Sequence, residues 1–317
     1  MYVKFWGTRG SIPTPLSSTS IQDKIRQALL GAQGVDLRDH AAVDRYIERL
    51  PHTVRGTVGG NTACIEIRVD NQLLILDAGS GLRVLGLELM RQGAGKGNQH
   101  MDMLITHTHW DHIQGYPFFV PAFIPGNSIT FYSPFANLQE RLSRQQDDTY
   151  FPVTLEYMRA TRCFHTLAPG QWTRIGNVRI YPLRLSHPGT CYGYRIEDDH
   201  SSLVYATDAE YKRVDPAHTE EYIRFFHEAD LLVFDAQYTI TEAQDRPDWG
   251  HSFALVGAEF ARRANVRRLA LFHHDPTSSD EKIWIGRDQA EAYITSMPNV
   301  ECNCEVIVAY DGLSITL

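Results

Sequence analysis

The chain has 317 residues, enough for one large domain or two small ones, and 43% apolar against 21% charged residues describes an ordinary core-burying globule. Its formal charge of −8 disfavours non-specific clamping onto a nucleic-acid backbone, although it does not exclude a local basic patch. The five cysteines, Cys64, Cys163, Cys191, Cys302 and Cys304, are odd in number and include no CxxC pair, which suits free thiols in a reducing compartment and excludes a disulfide framework.

Tyr2 to Trp6 reads as a strand rather than a signal peptide, followed by the glycine-punctuated loop Gly7-Thr8-Arg9-Gly10-Ser11. From about residue 15 to 55 the pattern turns helical. Ile21, Ile25, Ala28 and Leu29 share one period, and Ala42, Val43, Tyr46, Ile47 and Leu50 another. This predicts two amphipathic helices inserted near the N-terminus, as a lid, a dimer contact or a surface decoration. Thr62 to Val69 and Gln72 to Leu76 form a hairpin across Asp70-Asn71, ending in Asp77-Ala78-Gly79. A helix from Gly81 to Gln92 and a strand from Met101 to Thr106 come next. The run from Pro117 to Pro125 is the longest apolar stretch, too short and too rich in proline to span a bilayer, so a cytoplasmic protein with no membrane partner is expected.

Further on, Ser128 to Tyr132 is a strand and Asn137 to Gln146 a helix, whereas Tyr150 to Leu167 shows no clear period. Strands follow at Val178 to Leu185, Cys191 to Ile196, Leu203 to Ala206, Leu231 to Phe234 and Leu269 to Phe272. Helices fall at Glu220 to Glu228, Ser252 to Ala264 and Asp280 to Thr295, and Val306 to Ala309 and Leu313 to Leu317 are closing strands. Strands in two batches with helices between them predict two sheets packed face to face with helices outside each.

The chemistry concentrates at Thr106-His107-Thr108-His109-Trp110-Asp111-His112. Alternate side chains of an extended segment share a face, so His107, His109 and Asp111 can point together, and His112 implies a turn. Imidazole and carboxylate are ligands that zinc, manganese and iron accept. Three further strands end in His or Asp, at His187, Asp208 and His273. His107, His109 and His187 supply three nitrogens for one ion. Asp111, His112 and His273 supply a second, and Asp208 can bridge both, an arrangement suited to displacement at phosphorus. His273 comes before His274 after its strand and is preferred. The histidines at 40, 52, 100, 165, 200, 218 and 227 are expected to be solvated or core side chains.

The motif His107-x-His109-x-Asp111-His112, with His187, Asp208 and His273 downstream, resembles the metallo-β-lactamase superfamily. Phe5-Trp6-Gly7-Thr8-Arg9-Gly10-Ser11, Gly59-Gly60-Asn61-Thr62, Leu76-Asp77-Ala78-Gly79 and Gly250-His251-Ser252 are similar to phrases of its phosphodiesterase branch, which includes ribonuclease Z and cyclic phosphodiesterases. The resemblance spans nearly the whole chain outside residues 15 to 55. It implies an α+β fold, an αβ/βα four-layer sandwich forming one domain over 1–317, and two divalent metal ions per subunit, zinc first and manganese as the alternative.

It further implies that His251 protonates the leaving oxygen, that Asp77 orients a ligand histidine and that Asp235 does likewise. Asp111 serves the nucleophile as well as a metal. A helix start at His251 would disfavour its charged form and strengthen it as an acid. Arg9 and Asn61 become candidate substrate contacts, Arg9 through bidentate bonding to a phosphoryl oxygen. The expected activity is hydrolysis of a phosphodiester in a small or cyclic nucleotide by a metal-bridging hydroxide, with a homodimer expected. The alternatives are thioester or lactone hydrolysis and a ribonuclease Z-like RNA nuclease. The chain departs from the wider superfamily in three ways. No cysteine stands at the lactamase zinc position, His109 replaces the glutamate of the diiron branch, and there is no Gly- and Lys-rich tRNA-gripping arm, so extended nucleic acid is disfavoured as a partner.

Overall fold

The computed structural model describes residues 1–211, 216–296 and 303–317. The apolar runs become strands β1 (Tyr2–Gly7), β2 (Cys64–Val69), β3 (Gln72–Leu76), β4 (His100–Leu104), β5 (Ser128–Ser133), β6 (Thr161–Thr166), β7 (Thr173–Ile175), β8 (Val178–Leu185), β9 (Cys191–Glu197), β10 (Ser202–Ala206), β11 (Leu231–Asp235), β12 (Arg268–Phe272), β13 (Glu305–Val308) and β14 (Ser314–Thr316). Among the described residues they make two seven-stranded sheets, in the orders β14-β1-β2-β3-β4-β5-β6 and β13-β12-β11-β10-β9-β8-β7. Each sheet is antiparallel on one side and parallel on the other, the parallel pairings being β3 to β6 in the first and β10 to β13 in the second.

Helices α1 (Ser18–Gly31), α2 (His40–Arg49), α3 (His52–Arg55), α4 (Gly81–Arg91), α5 (Trp110–Ile113), α6 (Leu138–Gln145), α7 (Pro216–Phe226), α8 (Ile240–Asp245), α9 (Ala254–Arg263) and α10 (Asp280–Ser296) complete the chain. Three apolar clusters separate four layers. Phe5, Ile65, Ile67, Tyr194, Tyr205 and Phe272 fill the space between the sheets. Leu82, Leu85 and Leu89 of α4 pack with Ile75, Met103 and Phe131 on the outer face of the first sheet. Phe226, Ala258, Phe260 and Ala290 do the same with Phe234 and Leu271 on the second. Strands β10 and β11 are buried at every position, which is why they read as continuous apolar runs rather than alternating ones.

This is the expected α/β/β/α sandwich. Two strands were not foreseen. Strand β6 reads Thr-Arg-Cys-Phe-His-Thr and buries none of its residues at the edge of its sheet, and β7 has only three residues. The helices α1 and α2 bury none of their residues. Lys24 of α1 reaches Asp280 at the start of α10, 2.7 Å away, which fastens the segment to the body. Cys64 and Cys191 are buried free thiols, and Cys302 lies outside the described residues. Among the described residues no helix is long and apolar enough to cross a membrane.

Candidate metal centre

Parallel strands present their C-terminal ends along one rim, and the sequence places polar residues there. Asp77 follows β3, His107 and His109 follow β4, His187 follows β8, Asp208 follows β10, Asp235 ends β11 and His273 follows β12. The short helix α5 supplies the turn that moves Asp111 and His112 away from His109. Asp77, Asp208 and His273 all have positive φ, 57°, 52° and 60°, conformations that bulky L residues adopt only where the surroundings over-determine them. Gly10 completes the rim from the N-terminal loop, where a Cβ would lie 2.5 Å from the His273 ring.

The seven expected ligands converge. His107, His109, His187 and Asp208 form one donor set, and Asp111, His112, Asp208 and His273 form another, with the donor atoms of each set within 4.8 Å of one another. Asp208 belongs to both. Its Oδ1 lies 3.1 Å from His112 Nε2 and 3.2 Å from His273 Nε2. Its Oδ2 lies 3.6 Å from His107 Nε2 and 3.9 Å from His187 Nε2. His274 points away, with its Nε2 2.8 Å from the Ala309 carbonyl oxygen, so His273 is the histidine of the cluster.

The far nitrogen of these rings is tethered by the protein. His112 Nδ1 is 2.8 Å from Asp77 Oδ2, His187 Nδ1 donates to the Gly250 carbonyl at 2.9 Å, and His273 Nδ1 is 3.0 Å from Gln237 Oε1. His107 Nδ1 lies 3.1 Å from Thr106 Oγ1. Such tethers fix ring orientation and aim Nε2 inward. His109 differs, presenting Nδ1, which lies 3.0 Å from His187 Nε2. The Nε2 of His107 is buried with no hydrogen-bond partner, a nitrogen in want of an electrophile. Burial lowers the pKa of His107 far below its ordinary value and also lowers those of His109 and His187, so these rings are in the neutral, ligating form. Burial alone would raise Asp208 and Asp111, but the surrounding histidines hold both carboxyls well below the usual range. The opposite holds for His112, which burial would depress and which Asp208, Asp111 and Asp77 raise well above its usual value. Anionic oxygens beside the neutral nitrogens of His107, His109 and His187 make a donor set that fits divalent cations.

Asp77 holds more than His112. It also accepts from the Thr106 N–H at 2.8 Å, from the Thr106 hydroxyl and from the Tyr205 hydroxyl at 3.0 Å. Asp235 does not orient a ligand histidine as expected. Its Oδ2 accepts from His251 Nδ1–H at 2.9 Å, while its oxygens also take the N–H groups of Ala209 and Gln237. His251 is not at a helix start either, because α9 begins at Ala254. Burial would depress its pKa, but the Asp235 carboxylate overrides this and pushes it up to about 9, so it is a charged proton carrier rather than a strengthened acid.

Two expected substrate contacts are corrected. Arg9 is 3% exposed and its guanidinium donates to the carbonyls of Gly59, Asp275 and Ser278. Asn61 donates to Asp311 and accepts from the Ser80 hydroxyl. Both side chains are spent on fixing loops. Conversely, Ser11 and Gln237 escaped the sequence reading. The Ser11 N–H donates to Asp111 Oδ2 at 2.7 Å, and Gln237 holds His273. The signal for Gln237 was its place two residues beyond the strand-end Asp235.

The rim opens into a cavity of about 450 Å³ lined by Ser11, Thr108, His109, Trp110, Asp111, Asp208, His251 and His273. Residues 73–274 match the beta-lactamase superfamily domain. The chain belongs to the metallo-β-lactamase superfamily. It is 28% identical over 270 residues to the uncharacterized protein ML1173 of Mycobacterium leprae, covering 82% of this chain and 81% of that one. It is also similar to the "Probable metallo-hydrolase YhfI" of Bacillus subtilis, with 31% identity over 105 residues, 33% of this chain and 39% of that one. The crystal structure of YhfI superposes with a TM-score of 0.64 at 20% identity, covering 99% of this chain and 98% of that one. The short form of human tRNase Z superposes at 0.62 with 18% identity, covering 100% and 99%. The family and this rim of donors make the chain a metal-dependent hydrolase.

Proposed function

We propose that this member of the metallo-β-lactamase superfamily hydrolyses a phosphodiester bond in a small or cyclic nucleotide. The observation that carries the reading is the divided carboxylate of Asp208, one oxygen facing His112 and His273 and the other facing His107 and His187. A carboxylate so placed suits two neighbouring cations, zinc or manganese, held by His107, His109 and His187 on one side and Asp111, His112 and His273 on the other. When bound, such ions polarise phosphoryl oxygens and make water nucleophilic near neutral pH.

The remaining work falls to the chain. Ser11 fixes Asp111 through its backbone N–H, which leaves the carboxylate oriented to accept a hydrogen bond from the attacking water. Asp235 holds His251 through Nδ1, and among the described residues no hydrogen bond occupies Nε2 of His251, which borders the cavity. That Nε2–H is positioned to protonate a departing alkoxide oxygen. A held acid favours an ester of an alcohol over a thioester, because a thiolate leaves without protonation. The size of the cavity favours a small substrate over extended nucleic acid.

One purified sample, assayed for metal content, is to be offered bis(nitrophenyl) phosphate, a thioester, cyclic mononucleotides, cyclic dinucleotides and short RNA. Turnover of diesters without turnover of the thioester is the expected result. Thioester hydrolysis with inert diesters overturns the reading.

A further inference from the structure

Trp110 stands between His109 and Asp111, yet its indole is 80% exposed while lining the cavity. Among the described residues no aromatic ring packs against it and its Nε1–H makes no hydrogen bond. Its position on α5 is fixed nonetheless, because the His112 and Gln114 N–H groups bond back to the carbonyls of His109 and Trp110. A large apolar plane carried in water on a fixed stretch of backbone, at the mouth of a site, is the form that a stacking platform takes.

A second observation defines what the platform receives. Thr108, on the same cavity wall, accepts from Arg141 Nη1 at 3.1 Å. The Arg141 guanidinium lies over the Phe135 ring, 4.0 Å from its centroid, and its Nε donates to Asn137 Oδ1. Among the described residues no carboxylate lies within ion-pair distance of it. In a chain of net charge −8, a pre-oriented cation without an acid partner marks an anion's approach.

We infer that Trp110 is the base-stacking platform of the substrate site, with Arg141 supplying positive charge beside it, so that the cavity selects nucleotides over base-free phosphodiesters. This inference rests on the phosphodiesterase reading and narrows its substrate class. A planar base on the exposed indole would hold the sugar and its phosphate over the donor rim, and Arg141, which bonds to Thr108 of the wall, would draw negative charge from behind it. Neither residue takes part in bond breaking.

The test compares a nucleoside cyclic phosphate with the corresponding base-free ribose cyclic phosphate, using metal-loaded protein and the variants Trp110→Phe, Trp110→Ala and Arg141→Gln. Base stacking on an aromatic side chain is worth about tenfold in affinity. Trp110→Ala is therefore expected to erase about a tenfold KM preference for the nucleotide. Trp110→Phe should keep most of it, and Arg141→Gln should raise KM for both substrates. Equal preference in Trp110→Ala and the unaltered protein, with metal content unchanged, overturns the platform.

A binding readout stands apart from turnover. Adenosine monophosphate should quench tryptophan fluorescence in the unaltered protein and do so far less in Trp110→Phe. If neither diester is hydrolysed but this difference persists, the phosphodiesterase reading fails and the platform survives. If diesters are hydrolysed and the quench is the same in both proteins, the reverse holds.

Discussion

Asp235 Oδ2 and His251 Nδ1 lie 2.9 Å apart, and this contact fixes which nitrogen of His251 faces the cavity. Loss of the imidazole in His251→Ala should leave the metal in place and lower kcat by about a hundredfold to ten-thousandfold. The loss should shrink with a nitrophenyl leaving group, which departs without a proton. Metal analysis alongside kcat on activated and unactivated diesters checks this, and equal losses on both would remove the acid role.

The same pair sets a pH dependence. The pKa of His251 is raised to about 9, so the acid form exists below that pH and disappears above it. Cations bound nearby would lower it from there. Asp235→Asn removes the strongest influence that raises it. The alkaline limb of the kcat profile should therefore move to lower pH in the variant. A limb that stays in place, or moves up, contradicts the assignment.

Asp208→Ala removes the carboxylate that the two donor sets share, one oxygen facing each. It should empty both sets, abolish turnover and make the melting temperature insensitive to chelator. The unaltered protein should instead melt lower after chelation, since an ion that binds only the folded chain stabilises it by mass action. Elemental analysis and paired melting curves decide the matter.

Asp77 is buried and accepts from Thr106 and Tyr205 while bonding to His112. Asp77→Ala strands those donors, and leaving buried donors unpaired costs roughly 1–3 kcal/mol for each. Metal affinity should fall about 10–100-fold as His112 loses its anchor. Denaturant melts and metal titration both report on it, and an unchanged metal affinity would confine Asp77 to stability.

Arg9→Met should act on folding and not on substrate. It removes three hydrogen bonds to loop carbonyls, a loss of about 2–4 kcal/mol, with KM close to that of the unaltered protein. A KM rise without destabilisation would restore Arg9 to the substrate site.

The sandwich and its rim were legible because buried strands write themselves as apolar runs. At His107, His187, Asp208 and His273 the run stops at a residue that no core would accept unpaired. Strand β6 was illegible for the converse reason, since an edge strand that buries no residue carries no apolar period. Helix α8 was missed although Thr239 and Glu242 form a capping box, a signal that six residues of mixed character obscured. Arg9 and Asn61 were misread because a loop arginine and a loop asparagine look the same whether they hold a ligand or a neighbouring carbonyl. Only the positions of Gly59, Asp275, Ser278 and Asp311, remote in the chain, decide it.

The donor rim draws on both walls of the sandwich. His107, His109, Asp111 and His112 come from the first sheet, and His187, Asp208 and His273 from the second. Ions seated there would rivet the walls together along one margin only. Demetallated protein should then gape at that margin while the opposite end stays shut by its apolar filling, so the enzyme's breathing, and with it the escape of product, becomes a function of its metal load.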